Sequence, residues 1–457
     1  MIGKGVARFI DPVVAAFALP SIPMAIMNYP IATIVPVIYA KQFSIPLIQI
    51  GFVFFLCRIL DAVCDPVIGY LSDLTRSRLG ARKPWIIGGA AVSCMAAFLL
   101  YLPPVTPGIV YYASAMFFLF LAWTVLEIPY AAWAAEITRD YNRRSLIQGY
   151  RSAFQMLGSI IFALIPYAAA SGVPHFDQHF LNAVGWVTLI LLPLSVAVAM
   201  IFTPHTGVPT DRAMENPLQA LAVVVANKPL QNFLATFILS GTASGMQAAL
   251  GYLYMDKYLG IASWYSIILL LSLFANLFSI PLWIELVRRF GRERAWAIGT
   301  IATSICTVAI IMIQPSAHAA IQFVAVYTVM SIAMGCLLVC PGAMMGDIID
   351  YETLRSGKMK AGSVSSLVTL VVKFNSGIGA GLALTIVGFF GLDLSRSQPL
   401  TTSAILGLKL GVGAIPILLQ LISACLIWWF PLTQARQLTI RRWLERSAGL
   451  NSFEVVP

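Results

Sequence analysis

Charge is what this sequence has least of. Asp, Glu, Lys and Arg make up 11% of its 457 residues, where a soluble domain carries about 25%. Histidine is also scarce, and His175, His179, His205 and His318 fall in loops in no ligand pattern. The seven cysteines, at 57, 64, 94, 306, 336, 340 and 425, all sit inside apolar runs. Only Cys336 and Cys340 are close in sequence, and small buried thiols account for the set. No glycine-rich phosphate loop, nucleotide-binding pattern or metal motif is present. These absences exclude a soluble domain and the common enzyme classes. No resident cofactor or metal is expected, so any work the chain does must draw on an ion gradient.

What is abundant is hydrophobic sequence, at 59% with a mean hydropathy of +0.85. Runs of roughly 20 apolar residues recur, the length that crosses a hydrocarbon core. Backbone groups in lipid must be satisfied within the segment, so the runs are read as helices. Twelve spans are predicted: 13–38, 46–71, 84–104, 109–136, 148–171, 181–203, 230–254, 263–287, 295–314, 320–348, 361–391 and 404–430. The first begins near Val13 and extends past Val35, too long for a signal-peptide core, and is read as a retained span. The fold class is an all-α integral membrane protein in the lipid bilayer.

A net charge of +10 does not mark a nucleic-acid partner, because the basic residues are confined to short loops. Alternate loops carry 22 of the 29 Lys and Arg residues, Arg139, Arg143 and Arg144 among them. The opposite loops hold Lys41, Lys257, Arg396 and Lys409. Arg58, Arg151 and Lys373 lie within spans. Such asymmetry puts the basic side in the cytoplasm, and an even number of spans puts both termini there. The 204–229 loop divides the chain into a six-span half (1–203) and a second six-span half (230–432), with a cytoplasmic tail at 433–457. That loop contains NPLQALAVVVANKPL, a candidate amphipathic helix on the membrane surface.

The halves echo each other. After span 2 comes GYLSDLTRSRLGARKPW, and after span 8 comes WIELVRRFGRERAW. Each places an acid at the helix end (Asp73, Glu285), then arginines, a glycine, more basic residues and a tryptophan. A loop repeated at matching points of two six-span halves marks a duplicated transporter fold. The acids could pair with loop arginines such as Arg82 and Arg288 and act as conformational locks. Asp347 and Asp350, in GDIIDYE at the end of span 10, read as further gate contacts to basic loop residues.

Within the spans, RILDAVCDP places Arg58, Asp61 and Asp65 on one helix face. Two carboxylates one turn apart repel unless a cation or proton lies between them. A structural salt bridge to Arg58 would also account for them, but intramembrane ionisable groups are functional by default. Span 4 adds Glu127 in AWTVLEIPYAAW, with Thr124 a turn before it, Tyr130 and Trp133 after it, and Pro129 able to bend the helix. Arg151 opens span 5 in QGYRSAFQ, where it could also snorkel to the interface. Lys373 lies about a dozen residues into span 11, in VVKFNSGIGAG, and calls for a carboxylate partner or an anionic ligand. Span 1 has no carboxylate; its polar residues include Asn28 and Tyr29, and four prolines (Pro20, Pro23, Pro30, Pro36) predict a bend.

RILDAVCDPVIGYLSDLTRSRLGARKPW, EIPYAAW with the later GYR, and GDIIDYETLRSG with VVKFNSG together resemble the glycoside–pentoside–hexuronide cation symporters of the major facilitator superfamily. The likeness runs from span 2 to span 11. It implies a major facilitator fold of two pseudo-symmetric six-helix bundles in a bacterial-type inner membrane, acting as a monomer on a small-molecule substrate. By resemblance, Asp61 and Asp65 bind the coupling cation with Thr124. Glu127 and Arg151 serve sugar binding, and Lys373 matches the family's span-11 lysine. Sodium-using members carry an Asn where this chain has Cys64. A thiol is a poor ligand for a hard cation, which favours H+ over Na+ as the coupling ion. The missing span-1 carboxylate removes a strong acceptor for sugar hydroxyls. Related vertebrate lysophospholipid symporters keep the span-2 acid and the span-11 lysine, so an amphiphile is the alternative cargo. A non-transporting membrane sensor is the remote one.

Overall fold

The computed structural model describes residues 11–138, 141–169, 176–204, 227–356, 361–394 and 400–432, with Val224 and residues 436, 437, 439, 440, 442 and 443. Most of the 204–229 linker, including its expected amphipathic helix, lies outside the described residues. So do Arg139 and most of the tail.

Helices make up the described regular structure. The first half holds α1 (Pro12–Ala18), α2 (Ser21–Thr33), α3 (Val35–Gln42), α4 (Leu47–Leu74), α5 (Lys83–Tyr101), α6 (Ile109–Glu136), α7 (Tyr141–Ala169) and α8 (Gln178–Phe202). The second holds α9 (Lys228–Leu253), α10 (Tyr265–Phe278), α11 (Ile280–Phe290), α12 (Arg292–Met312), α13 (Ala319–Met334), α14 (Cys336–Ser356), α15 (Ala361–Phe389), α16 (Thr402–Lys409) and α17 (Ile415–Trp428). Among the described residues ten helical segments are long and apolar enough to cross a membrane, and eleven if the bent α10–α11 pair counts as one span. The expected fifth span is α7. It is 29 residues long, with a polar opening, YNRRSLIQGYRS, and an apolar remainder.

Proline and glycine explain the broken spans. Span 1 is three short helices, with Pro20 at one break, and Pro36 in the first turn of α3 after the other. Span 8 bends by 43° between α10 and α11, at Ser279 and just before Pro281, which has no N–H to give. Span 10 breaks at Gly335. The two breaks face each other: a Cβ on Gly335 would overlap the Ser279 hydroxyl. Carbonyls at the span-10 break accept from side chains on span 8. Trp283 Nε1 donates to Ile332 O at 2.7 Å and Asn276 Nδ2 to Ser331 O at 3.2 Å, which a backbone in lipid requires.

The repeated loop is repeated in shape. Gly80 and Gly291 both take positive φ, +89° and +87°, a conformation that favours glycine. Each precedes its tryptophan, Trp85 or Trp296, by the same spacing.

The halves meet where α4 packs along α15, α7 against α10, and α2 against α9. The α4–α15 seam is close. A Cβ on Gly388 would lie 2.8 Å from Ile48 N, and one on Gly51 would lie 2.9 Å from Gly381 O. Further cross-half contacts lie at the end away from the arginine-rich loops. Lys41 Nζ is 3.4 Å from Asp256 Oδ2. The Phe176 ring sits 5.1 Å from Tyr252 and 5.2 Å from Tyr265.

Candidate functional site

Asp61 and Asp65 lie one turn apart on α4 and face α6. Thr124 Oγ1 on α6 is 3.0 Å from Asp65 Oδ1 and 3.3 Å from Asp61 Oδ1. One hydroxyl therefore bridges two carboxylates, and Asp61 and Thr124 are 5% and 0% exposed. Arg58 Nη1 lies 3.2 Å from the other oxygen of Asp61. Its guanidinium is stacked on Phe120 at 4.5 Å and faces Phe54 at 5.5 Å. One oxygen of Asp61 is thus salt-bridged to Arg58 while the other lies against the Thr124 hydroxyl. Cys64 is half-buried on the same helix. The Lys373 backbone continues α15, but its side chain lies outside the described residues.

A second charged pair lies between α6 and α7. Arg151 Nη2 is 2.9 Å from Glu127 Oε1, so Arg151 is turned inward and its charge is spent on the pair. The guanidinium stacks on Tyr130 at 4.5 Å. The Tyr130 hydroxyl donates to Phe17 O at 2.7 Å and lies 3.2 Å from Ser21 Oγ. Tyr130 is therefore a buried support for Arg151. Trp133 is buried likewise. It is 2% exposed, edge-on to Phe17 at 5.1 Å, with Lys83 Nζ 5.4 Å from its ring. Sequence reasoning overlooked Lys83. It donates to Met200 O and Thr203 O, both at 2.8 Å, and closes the carbonyl end of α8. Asn28 is exposed on α2, and Tyr29 beside it lies 5.2 Å from Phe162.

Among the described residues, the contacts seen for the expected locks tie helices within each half. Arg82, at the N-terminus of α5, pairs with Asp73, and gives Nε and Nη2 to Glu136 Oε1 at 3.0 and 2.7 Å and Nη1 to Ser72 Oγ at 2.7 Å. Burial lowers the Arg82 pKa, but hydrogen bonding and charge from Glu136, and then from Asp73, outweigh it and raise the pKa overall. In the second half the matching partner of Asp347 is Arg292, which also donates to Ala343 O at 3.2 Å. Glu285 pairs with Arg288 at 3.3 Å and Arg289 at 2.7 Å on its own exposed helix, so it does not repeat the role of Asp73. Asp350 accepts from Gln437 Nε2 at 2.9 Å. Arg82 and Arg292 stand at the starts of α5 and α12, the third spans of the two halves, and their partners Glu136 and Asp347 lie toward the ends of α6 and α14, the fourth spans.

Two helix bundles related by a repeated loop, with paired carboxylates inside the membrane, define a secondary transporter of the major facilitator superfamily. The chain belongs to the family described as "MFS/sugar transport protein", which it matches over residues 16–434. It is an integral membrane, cation-coupled symporter and not an enzyme. It is 26% identical to "Putative glycoside/cation symporter YagG" of Escherichia coli (strain K12), over 92% of this chain and 91% of that protein. It is also 25% identical to "Sphingosine-1-phosphate transporter MFSD2B" of Mus musculus (87% and 86% covered), and 22% identical to "Sodium-dependent lysophosphatidylcholine symporter 1" of Homo sapiens (87% and 79%). Among solved structures, an inward-facing, occupied bacterial homologue of the human lysosomal transporter Spinster shares the fold, with a TM-score of 0.68 at 13% identity over 93% of this chain and 97% of that one. The nucleoside transporter NupG shares it with a TM-score of 0.65 at 14% identity, over 92% and 98%.

Proposed function

We propose that Asp61, Asp65 and Thr124 hold the coupling cation, a proton in preference to sodium, and that the cargo is a small sugar or glycoside. The observation that carries this reading is the Thr124 hydroxyl set between two carboxylate oxygens at 3.0 and 3.3 Å. A proton shared there, or a hard cation held by the same oxygens, removes the repulsion between the two acids. Cys64 offers sulfur where a hard cation needs oxygen, which supports the proton. The sugar would lie between the halves, near Glu127 and Arg151, with Asn28 and Tyr29 on α2 and Lys373 on α15 as further contacts.

With the arginine-rich loops in the cytoplasm, both termini lie there, in a bacterial-type inner membrane, and the protein works as a monomer. The joined end of the bundle then faces outward and the conformation is inward-facing. Cation binding neutralises the α4 acids, and the loaded carrier rocks between the two openings. The second reading, an amphiphile such as a lysophospholipid as cargo, is favoured by relatives named for such lipids and by the carboxylate-free span 1.

Uptake of labelled sugars and lysolipids, side by side, tests both readings. Each is measured with and without sodium and with the proton gradient collapsed. Sugar uptake that stops with the proton gradient supports the first reading. Lysolipid uptake alone establishes the second, and sodium dependence would overturn the proton assignment.

A further inference from the structure

The cation carboxylates and the seam between the halves are joined through one side chain. Arg58 reaches Asp61 at 3.2 Å with its guanidinium, while its methylene stem lies flat against the α15 backbone at Gly377. A Cβ on Gly377 would overlap Arg58 Cγ and Cδ and stand 2.6 Å from Nε. No real side chain tolerates such overlap, and each atom belongs to the segment that aims the guanidinium. Arg58 Nε is buried and makes no hydrogen bond among the described residues. The side chain is therefore directed by its seat on Gly377, by stacking on Phe120 and Phe54, and by Asp61. Gly381 lies one turn further along α15 on the same seam, yet a Cβ there would come no nearer than 3.1 Å to Gly51 O and 3.3 Å to Phe55 Cβ. The two glycines are not equivalent.

We infer that Gly377 is a positioning residue for cation coupling. Its missing Cβ seats Arg58 against α15, so that the guanidinium holds Asp61 and the charge state of the cation carboxylates is tied to the packing of one half on the other. This rests on the cation-site reading above for its role in transport. The seat itself does not depend on that reading. When a cation neutralises Asp61, the attraction that holds Arg58 in its seat weakens, and the α4–α15 seam is free to loosen.

The test is a mutant cycle on the purified full-length protein in detergent, in one choline buffer without added sodium or cargo. The probe is the melting temperature. Gly377→Ala is made in three backgrounds: parent, Arg58→Ala and Asp61→Asn. The expected result is a drop of several degrees in the parent. In Arg58→Ala the drop vanishes, because the Cγ that would clash is gone, and in Asp61→Asn it is at least halved, because no ion pair remains to lose. Gly381→Ala should cost the same in all three. An equal drop for Gly377→Ala in every background overturns the inference. So does a drop that vanishes in Arg58→Ala but is undiminished in Asp61→Asn, which would make the seat a packing contact alone. If Gly377→Ala does not accumulate in membranes, its recovery by both Arg58→Ala and Asp61→Asn supports the inference, and recovery by Arg58→Ala alone, or by neither, contradicts it. Because no cation is titrated, failure of the cation-site reading would show separately, as intact coupled uptake in Asp65→Asn.

Discussion

Thr124 on α6 sets its hydroxyl 3.0 Å from an oxygen of Asp65 on α4, and the same hydroxyl lies 3.3 Å from Asp61. Thr124→Val keeps the shape and removes the donor. Loss of a hydrogen bond to a charged group costs about 1.5–3 kcal/mol, roughly tenfold or more in an equilibrium constant. That hydrogen bond favours the ionised carboxylates, so its loss favours protonation; for a proton site the expected outcome is a fall of that size in the proton concentration that half-saturates uptake, with Thr124→Ser close to the parent. Initial uptake rates against cation concentration check it.

Lys41 and Asp256 join the halves at the end away from the basic loops. Lys41 is half-exposed, so the pair is worth at most about 1 kcal/mol. That still shifts a two-state carrier severalfold, because a difference of about 1.4 kcal/mol is already a factor of ten. Lys41→Asp should raise alkylation of a cysteine placed at Tyr265 from the outside, and Lys41→Asp with Asp256→Lys should restore it. Labelling of intact cells with an impermeant maleimide is the measurement.

Arg82 serves three partners with three different nitrogens. A lysine offers one point donor in place of that planar fork. Arg82→Lys is expected to lower the melting temperature nearly as far as Arg82→Ala. Arg288→Ala, whose pair with Glu285 is exposed, should leave it unchanged. Thermal unfolding followed by fluorescence-detected gel filtration distinguishes the two.

Lys83→Met removes the donor that closes the carbonyl end of α8 while keeping the stem beside Trp133. A buried carbonyl, Thr203 O, and a partly buried one, Met200 O, lose their donor, at up to about 1–3 kcal/mol for each unsatisfied group. A clear fall in melting temperature with unchanged cation dependence of uptake is expected.

The spans and the duplication were legible because both depend on local pattern. Apolar run length marks a helix in lipid, and the Gly–basic–Trp order marked loops that share a positive-φ glycine. The prolines of span 1 likewise announced its breaks. Partners distant in sequence were not legible. Nothing local to Arg82 points to Glu136, 54 residues on, and nothing local to Asp347 singles out Arg292 among the basic loop residues. Tyr130 and Trp133 carry the residue types of a sugar site, but α1 folds over them, and Phe17 turns both into packing residues. Asp61 and Asp65 were legible because charge inside a span is costly enough to stand out.

The central claim is that the α4 carboxylates couple cation to cargo. The most direct measurement compares concentrative uptake with equilibrium exchange of the same labelled cargo in proteoliposomes, for the parent, Asp61→Asn and Asp65→Asn. The account predicts that both variants lose accumulation against a gradient while cargo exchange persists in at least one of them. Accumulation at the parent level in either variant would contradict it.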